Sequence, residues 1–152
     1  MSDPKYLLDT SALLTFCDNE AGTETVEKIL RNNTILLPSL VLFEVFYISM
    51  KSKNKEVAEQ RYALLKSIPA QLLSELSEPV VLQGGEFKAD FKLSLADSLI
   101  AAYAYVNNAI LVHKDPEYEV LTMVQQMYLP YKKRKATRTK PEEADVNLDS
   151  QE

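Results

Sequence analysis

A chain of 152 residues, 46% hydrophobic and 26% charged, has the balance of a globular protein and room for one domain with a single sizeable core. One cysteine, Cys17, excludes an internal disulfide, and no run approaches the roughly 20 apolar residues that span a bilayer, so a cytoplasmic protein without membrane association is expected. Residues 1–131 hold 11 Lys and Arg against 17 Asp and Glu, while residues 132–140 hold six basic residues and no acid, which excludes a body that coats duplex DNA through bulk charge.

Tyr6-Leu7-Leu8 is a short apolar run stopped by Asp9-Thr10-Ser11, predicting a buried strand that ends in a polar turn, with a helix after it. Val26, Ile29 and Leu30 recur at helical spacing among Glu24, Glu27 and Lys28, predicting an amphipathic helix from Glu20 to Leu30 that Asn32-Asn33 ends. Thr34 to Leu37 reads as a second strand, and Pro38-Ser39 starts a helix across the apolar stretch Leu40 to Met50. Asn54 is placed to cap a further helix to about Ile68, before Pro69. From Ala70 to Phe91 the pattern is ambiguous. Gln71 to Leu76 suits a strand or a turn of helix, and Gly84-Gly85 would cost a helix over Pro79 to Phe91 roughly 1 kcal/mol each relative to Ala, so that helix needs tertiary support.

Leu95 to Val106 predicts a helix stopped by Asn107-Asn108, and Ala109 to Val112 a compact strand followed by a loop, His113-Lys114-Asp115-Pro116. A short helix from Pro116 and a last strand near Gln126 to Leu129 close the pattern. Strands alternating with helices predict an α/β fold, a three-layer α/β/α arrangement with a mostly parallel central sheet. One domain is expected over residues 1–131, with a charged, disordered tail over 132–152.

Several acids stand where the pattern calls for apolar residues. On a helix over Leu40 to Met50, the neighbours of Glu44 are Leu40, Val41, Tyr47 and Ile48; around Asp97 they are Leu93, Ile100 and Ala101, with only Ser94 polar. Asp9 ends one buried strand and Asp115 follows another. An ionised carboxylate withdrawn from water costs several kcal/mol unless it gains a cation, hydrogen bonds or a proton, and neither helix carries a Lys or Arg close by. Groups at the carboxyl ends of parallel strands converge on one crevice, and an all-oxygen donor set selects a hard cation such as Mg²⁺ or Mn²⁺. A cation so held suits hydrolysis of a phosphodiester, with one metal or two.

The stretches Leu7-Leu8-Asp9-Thr10-Ser11-Ala12-Leu13-Leu14, Pro38-Ser39-Leu40-Val41-Leu42-Phe43-Glu44 and Leu93-Ser94-Leu95-Ala96-Asp97-Ser98-Leu99-Ile100-Ala101-Ala102 resemble the PIN domain of VapC-type toxins, over roughly residues 5–130. The resemblance implies a PIN-like fold and a Mg²⁺-dependent endoribonuclease that acts on RNA, is commonly a homodimer and is silenced by a cognate antitoxin. It gives the metal-ligand positions to Asp9, Glu44 and Asp97, and to Thr10 and Ser11 the hydroxyls that support the first acid. The fourth acid falls on Asp115, with Glu117, beside Tyr118, as the second candidate. The family pattern there is Thr, any residue, Asp, so His113 stands in place of a hydroxyl.

Other readings compete. Asp9 and Asp97 suit helix capping, Glu44 could pair with Arg31 or Arg61, and Asp115 could simply start the turn at Pro116. His113, the one histidine, suggests packing before phosphate contact, and without Cys or His companions it suggests no zinc site. Cys17 reads as a small buried hydrophobe, and Tyr103 and Tyr105 as core and dimer-face residues. Substrate contacts are expected from Lys51, Lys53, Lys55 and Lys114, with the basic tail in addition. The rival functions are a stand-alone RNA-processing nuclease of the same fold, a phosphatase, which the absence of a second Asp two residues after Asp9 disfavours, and a non-catalytic binding module.

Overall fold

Five strands form the centre: β1 (Lys5–Leu8), β2 (Thr34–Pro38), β3 (Gln71–Leu73), β4 (Ile110–His113) and β5 (Gln126–Tyr128). All pair in parallel, in the order β3-β2-β1-β4-β5. The computed structural model describes residues 3–130, so the tail expected over 132–152 lies outside the described residues. Parallel strands covered on both faces require near-continuous apolar runs. The central strands supply them: Leu7, Leu8, Leu36, Leu111 and Val112 are fully buried.

Six helices connect the strands: α1 (Thr10–Asp18), α2 (Thr23–Asn32), α3 (Ser39–Ser52), α4 (Lys55–Lys66), α5 (Glu78–Asp90) and α6 (Leu95–Val106), with a 3₁₀ turn over Pro116–Val120 before β5. With right-handed crossovers, the path β1 to β2 to β3 leaves α1 to α4 on one face, and the return from β3 to β4 leaves α5 and α6 on the other. The three-layer α/β/α arrangement follows. Strand order reverses between β1 and β4, so the crevice beyond the carboxyl ends of these two strands is the switch point of the sheet.

Local chemistry sets the helix starts. The Asp9 carboxylate accepts the Ala12 amide at 3.0 Å at the start of α1, Asn54 accepts that of Val57 at 2.8 Å, and the Ser94 hydroxyl accepts that of Asp97 at 3.0 Å. Thus Asp9 does cap a helix, whereas the cap of α6 is Ser94 and not Asp97. Helix α2 begins at Thr23, later than the periodicity suggests, because Gly22 adopts a φ of 104° in the preceding turn.

The ambiguous stretch contains β3, a three-residue edge strand, and then α5. Gly84 faces α6: a Cβ there would lie 2.9 Å from Leu99 Cδ2 and 3.6 Å from the Ala102 Cβ. That close approach is the tertiary support the helix needs. His113 corrects the expected loop. It is the last residue of β4, aligned with Tyr128, and its carbonyl accepts the Leu129 amide at 2.8 Å. Tyr103 is buried, with its hydroxyl donating to the Glu75 carbonyl at 2.8 Å, while Tyr105 is exposed with its ring edge against Phe87. Cys17 is half-buried. Among the described residues no helix is long and apolar enough to cross a membrane.

Candidate active site

The crevice at the switch point is lined with carboxylates. Asp9 follows β1 directly and is almost wholly buried, its amide donating to the Val112 carbonyl of β4 at 3.0 Å. Its Oδ1 accepts the Ser11 hydroxyl at 2.6 Å as well as the Ala12 amide. Ser11 in turn accepts the Lys114 amide at 3.2 Å, which ties the loop after β4 to the acid after β1.

Glu44 comes from α3, half-buried, with Oε1 accepting the Thr10 hydroxyl at 2.6 Å. The two hydroxyls expected to serve the first acid are therefore divided: Ser11 serves Asp9 and Thr10 serves Glu44. Neither arginine weighed as a partner for Glu44 takes it, since Arg61 pairs with Asp18 and no ion pair joins Arg31 to Glu44.

Asp97 lies in the first turn of α6, and its Oδ1 accepts the Tyr118 hydroxyl at 3.0 Å. Asp115, just past β4, accepts the Glu117 amide through Oδ1 at 3.0 Å and so starts the 3₁₀ turn at Pro116. It also joins a cluster. Carboxylate oxygens of Asp97, Asp115 and Glu117 lie within 4.8 Å of one another, so both candidates for the fourth acid stand beside Asp97.

Burial and mutual repulsion act on these groups in the same direction. Burial pushes the Asp9 carboxyl up to about 7, against the Ser11 and Ala12 hydrogen bonds, with repulsion from Asp97 and Asp115 added. Asp97 is pushed up to about 6, again mainly by burial, despite the Tyr118 hydrogen bond, with repulsion from Asp115, Glu44 and Glu117. Among the described residues no Lys or Arg forms an ion pair with any of the five acids. Lys114, the nearest in sequence, has its ammonium 3.6 Å from Glu20 and bonded to the Ala21 carbonyl at 3.2 Å, so it does not stand free for substrate as expected. Lys51, Lys53 and Lys55 are exposed around the α3–α4 junction, where Lys55 lies 3.9 Å from Glu59.

Beneath the acids lies a network that the sequence pattern leaves invisible. His113 is fully buried, and both ring nitrogens are engaged: Nδ1 accepts the Asp115 amide at 3.0 Å and Nε2 donates to Gln126 Oε1 at 2.8 Å. Burial lowers its pKa, and this bonding pattern belongs to the neutral ring. It contacts no solvent, so the packing reading of His113 fits and the phosphate-contact one does not. The Gln126 amide spans the Tyr118 and Leu121 carbonyls at 3.0 and 2.9 Å. With His113 occupied, the donor set open to a cation is all carboxylate oxygen. Five acids without a basic partner, two of them held above their ordinary pKa, fit a hard divalent cation.

No curated protein sequence matches the chain at a significant level. Among solved structures the chain is similar to VapBC2 from Rickettsia felis bound to a DNA fragment from their promoter, at a TM-score of 0.70 and 23% identity over 83% of this chain and 99% of that one. It is also similar to VapBC-1 from nontypeable Haemophilus influenzae, at 0.66 and 23% over 82% and 97%. A third likeness is to Mycobacterium tuberculosis VapC20, a sarcin-ricin loop cleaving toxin, at 0.66 and 14% over 82% and 99%. A family model for the PIN domain matches residues 6–122, the span that holds all five acids, and the chain belongs to the PIN domain family.

Proposed function

We propose that this protein is a metal-dependent endoribonuclease that hydrolyses RNA phosphodiester bonds and is the toxin of a toxin–antitoxin pair. The observation that carries the reading is the gathering of Asp9, Glu44, Asp97, Asp115 and Glu117 at the switch point of the sheet without a basic partner among the described residues. Asp9, Asp97, Asp115 and Glu44 would hold Mg²⁺ or Mn²⁺, with Glu117 beside them. When bound, such an ion neutralises substrate phosphate, lowers the pKa of a coordinated water and stabilises the leaving oxygen. The chain's own share is orientation. Ser11, Thr10 and Tyr118 each fix one oxygen of an acid, and the β1–α1 and β4 connections hold the acids from opposite sides of the crevice.

The similar proteins support the biological half of the reading. VapC20 is described as a toxin that cleaves the sarcin-ricin loop, and a further similar structure is a toxin–antitoxin complex from Klebsiella pneumoniae. A cognate antitoxin and a second copy of the chain are the partners we assign. Exposed Phe43, Tyr47 and Met50 along α3, the first two with ring centroids 5.4 Å apart, leave apolar surface for such contacts. The reading places its action in the cytoplasm.

The test is a time course of RNA cleavage by protein purified free of antitoxin, with Mg²⁺, with Mn²⁺ and with EDTA, beside folded Asp97→Asn. Cleavage is expected with either metal and none with EDTA. The variant should be slower by about 100-fold or more, the scale of losing one electrostatic stabiliser. Equal activity of the two proteins would overturn the reading.

A further inference from the structure

Tyr118 is the largest fully buried side chain of the described residues, yet its polar end does not face other core atoms. The ring packs at 4.7 Å from the His113 ring, and the hydroxyl reaches Asp97, 21 positions away on α6. Its backbone is held from the other side, where the carbonyl accepts the Gln126 amide at 3.0 Å. Gln126 is itself oriented by His113 Nε2, and His113 Nδ1 accepts the amide of Asp115. One continuous set of bonds therefore links the backbone of Asp115 to the carboxylate of Asp97 by way of His113, Gln126 and Tyr118.

We propose that Tyr118 is a positioning residue, whose hydroxyl, aimed by the His113–Gln126 pair, orients Asp97 toward Asp115 and Glu117 for cation binding. The inference rests on reading these acids as a metal site. The hydroxyl is the donor of this bond, since a carboxylate oxygen of Asp97 can only accept. Its donation occupies Oδ1 of Asp97 and limits rotation of the carboxylate. Hydrogen bonds that fix a ligand in this way typically carry about 10- to 100-fold in metal affinity.

The experiment is calorimetric titration of Mg²⁺ and Mn²⁺ into wild-type protein and Tyr118→Phe, with no substrate present, followed by cleavage kinetics as a function of metal concentration. Tyr118→Phe keeps the ring and removes only the hydroxyl. It is expected to weaken metal binding about tenfold or more, and to raise by the same factor the metal concentration that gives half-maximal cleavage. In an Asp97→Asn background the same change should cost no further affinity, since the hydroxyl acts through that carboxylate. Equal affinity of wild type and Tyr118→Phe overturns the inference and leaves the metal site standing; no metal binding by wild type overturns both. If Tyr118→Phe does not fold, wild-type protein with a ζ-carbon label at Tyr118 alone decides. A resonance that moves with metal occupancy supports the inference, and one that does not move overturns it.

Discussion

Asp9 works under opposed demands. It caps α1 and follows a strand whose Leu7 and Leu8 are fully buried, which holds it out of water, and it stands in a crevice with four other acids. Without a cation the folded protein keeps a proton on Asp9 up to about pH 7, whereas the unfolded chain releases it near 4. Between these values the folded state binds more protons, so this contribution to stability is present at low pH and is lost as pH rises to 7. Asp97, raised to about 6, acts with the same sign over a narrower window. His113 acts oppositely, since below about 6.5 the unfolded chain takes up a proton that the buried ring resists. Comparison with a variant isolates Asp9. Asp9→Asn retains an oxygen for the Ala12 amide and carries no charge. Its metal-free Tm should exceed that of wild type by roughly 5–10 °C at pH 8 and converge with it near pH 4. Adding Mg²⁺ at pH 8 should raise the wild-type Tm and leave that of the variant nearly fixed, as calorimetry would read.

Two adjacent glycines of α5 separate the demands of an element from those of its neighbour. Gly84 is buried where α5 meets α6, and Gly85 faces open space, with nothing within 4 Å of a Cβ placed on it. Gly85→Ala should therefore stabilise the protein by about 0.5–1 kcal/mol, the helix propensity gained, in urea unfolding. Gly84→Val should cost about 1–3 kcal/mol, because its branches meet Leu99 and Ala102, and it should weaken metal binding by moving the helix that carries Asp97.

The same pair explains what the sequence made legible. Elements buried on their own account were readable from their apolar runs: β1, β2, α3 and α6. The stretch from Ala70 to Phe91 was ambiguous because β3 is an edge strand of three mostly exposed residues, and because Gly84 has its reason in Leu99. At the site, acids out of pattern were visible as misplaced charge. The Tyr118 hydroxyl was not, since a buried tyrosine next to Glu117 looks like core until the fold brings Asp97 to it. His113 was visible only as a missing hydroxyl; its place between the Tyr118 and Tyr128 rings belongs to the tertiary structure.

Over the whole molecule, an acidic crevice on an acidic body must admit a polyanion. A bound divalent ion cancels part of the local charge but not the excess of acids over bases in residues 1–131. Lys114, beside the crevice, is held by Glu20 and the Ala21 carbonyl. The remaining concentration of positive charge in the sequence is the segment 132–140. On the proposed nuclease reading, six basic residues within nine positions are the charge available to substrate phosphates where the body supplies little. Replacing these six basic residues by Gln should raise KM for long single-stranded RNA with kcat unchanged. It should also flatten the dependence of log kcat/KM on log salt by about 0.7 for each phosphate that the segment no longer neutralises. A dinucleotide substrate, with a single phosphodiester to neutralise, should be cleaved nearly equally by both proteins. An unchanged salt slope on long RNA would mean that the exposed lysines around the α3–α4 junction carry the substrate instead.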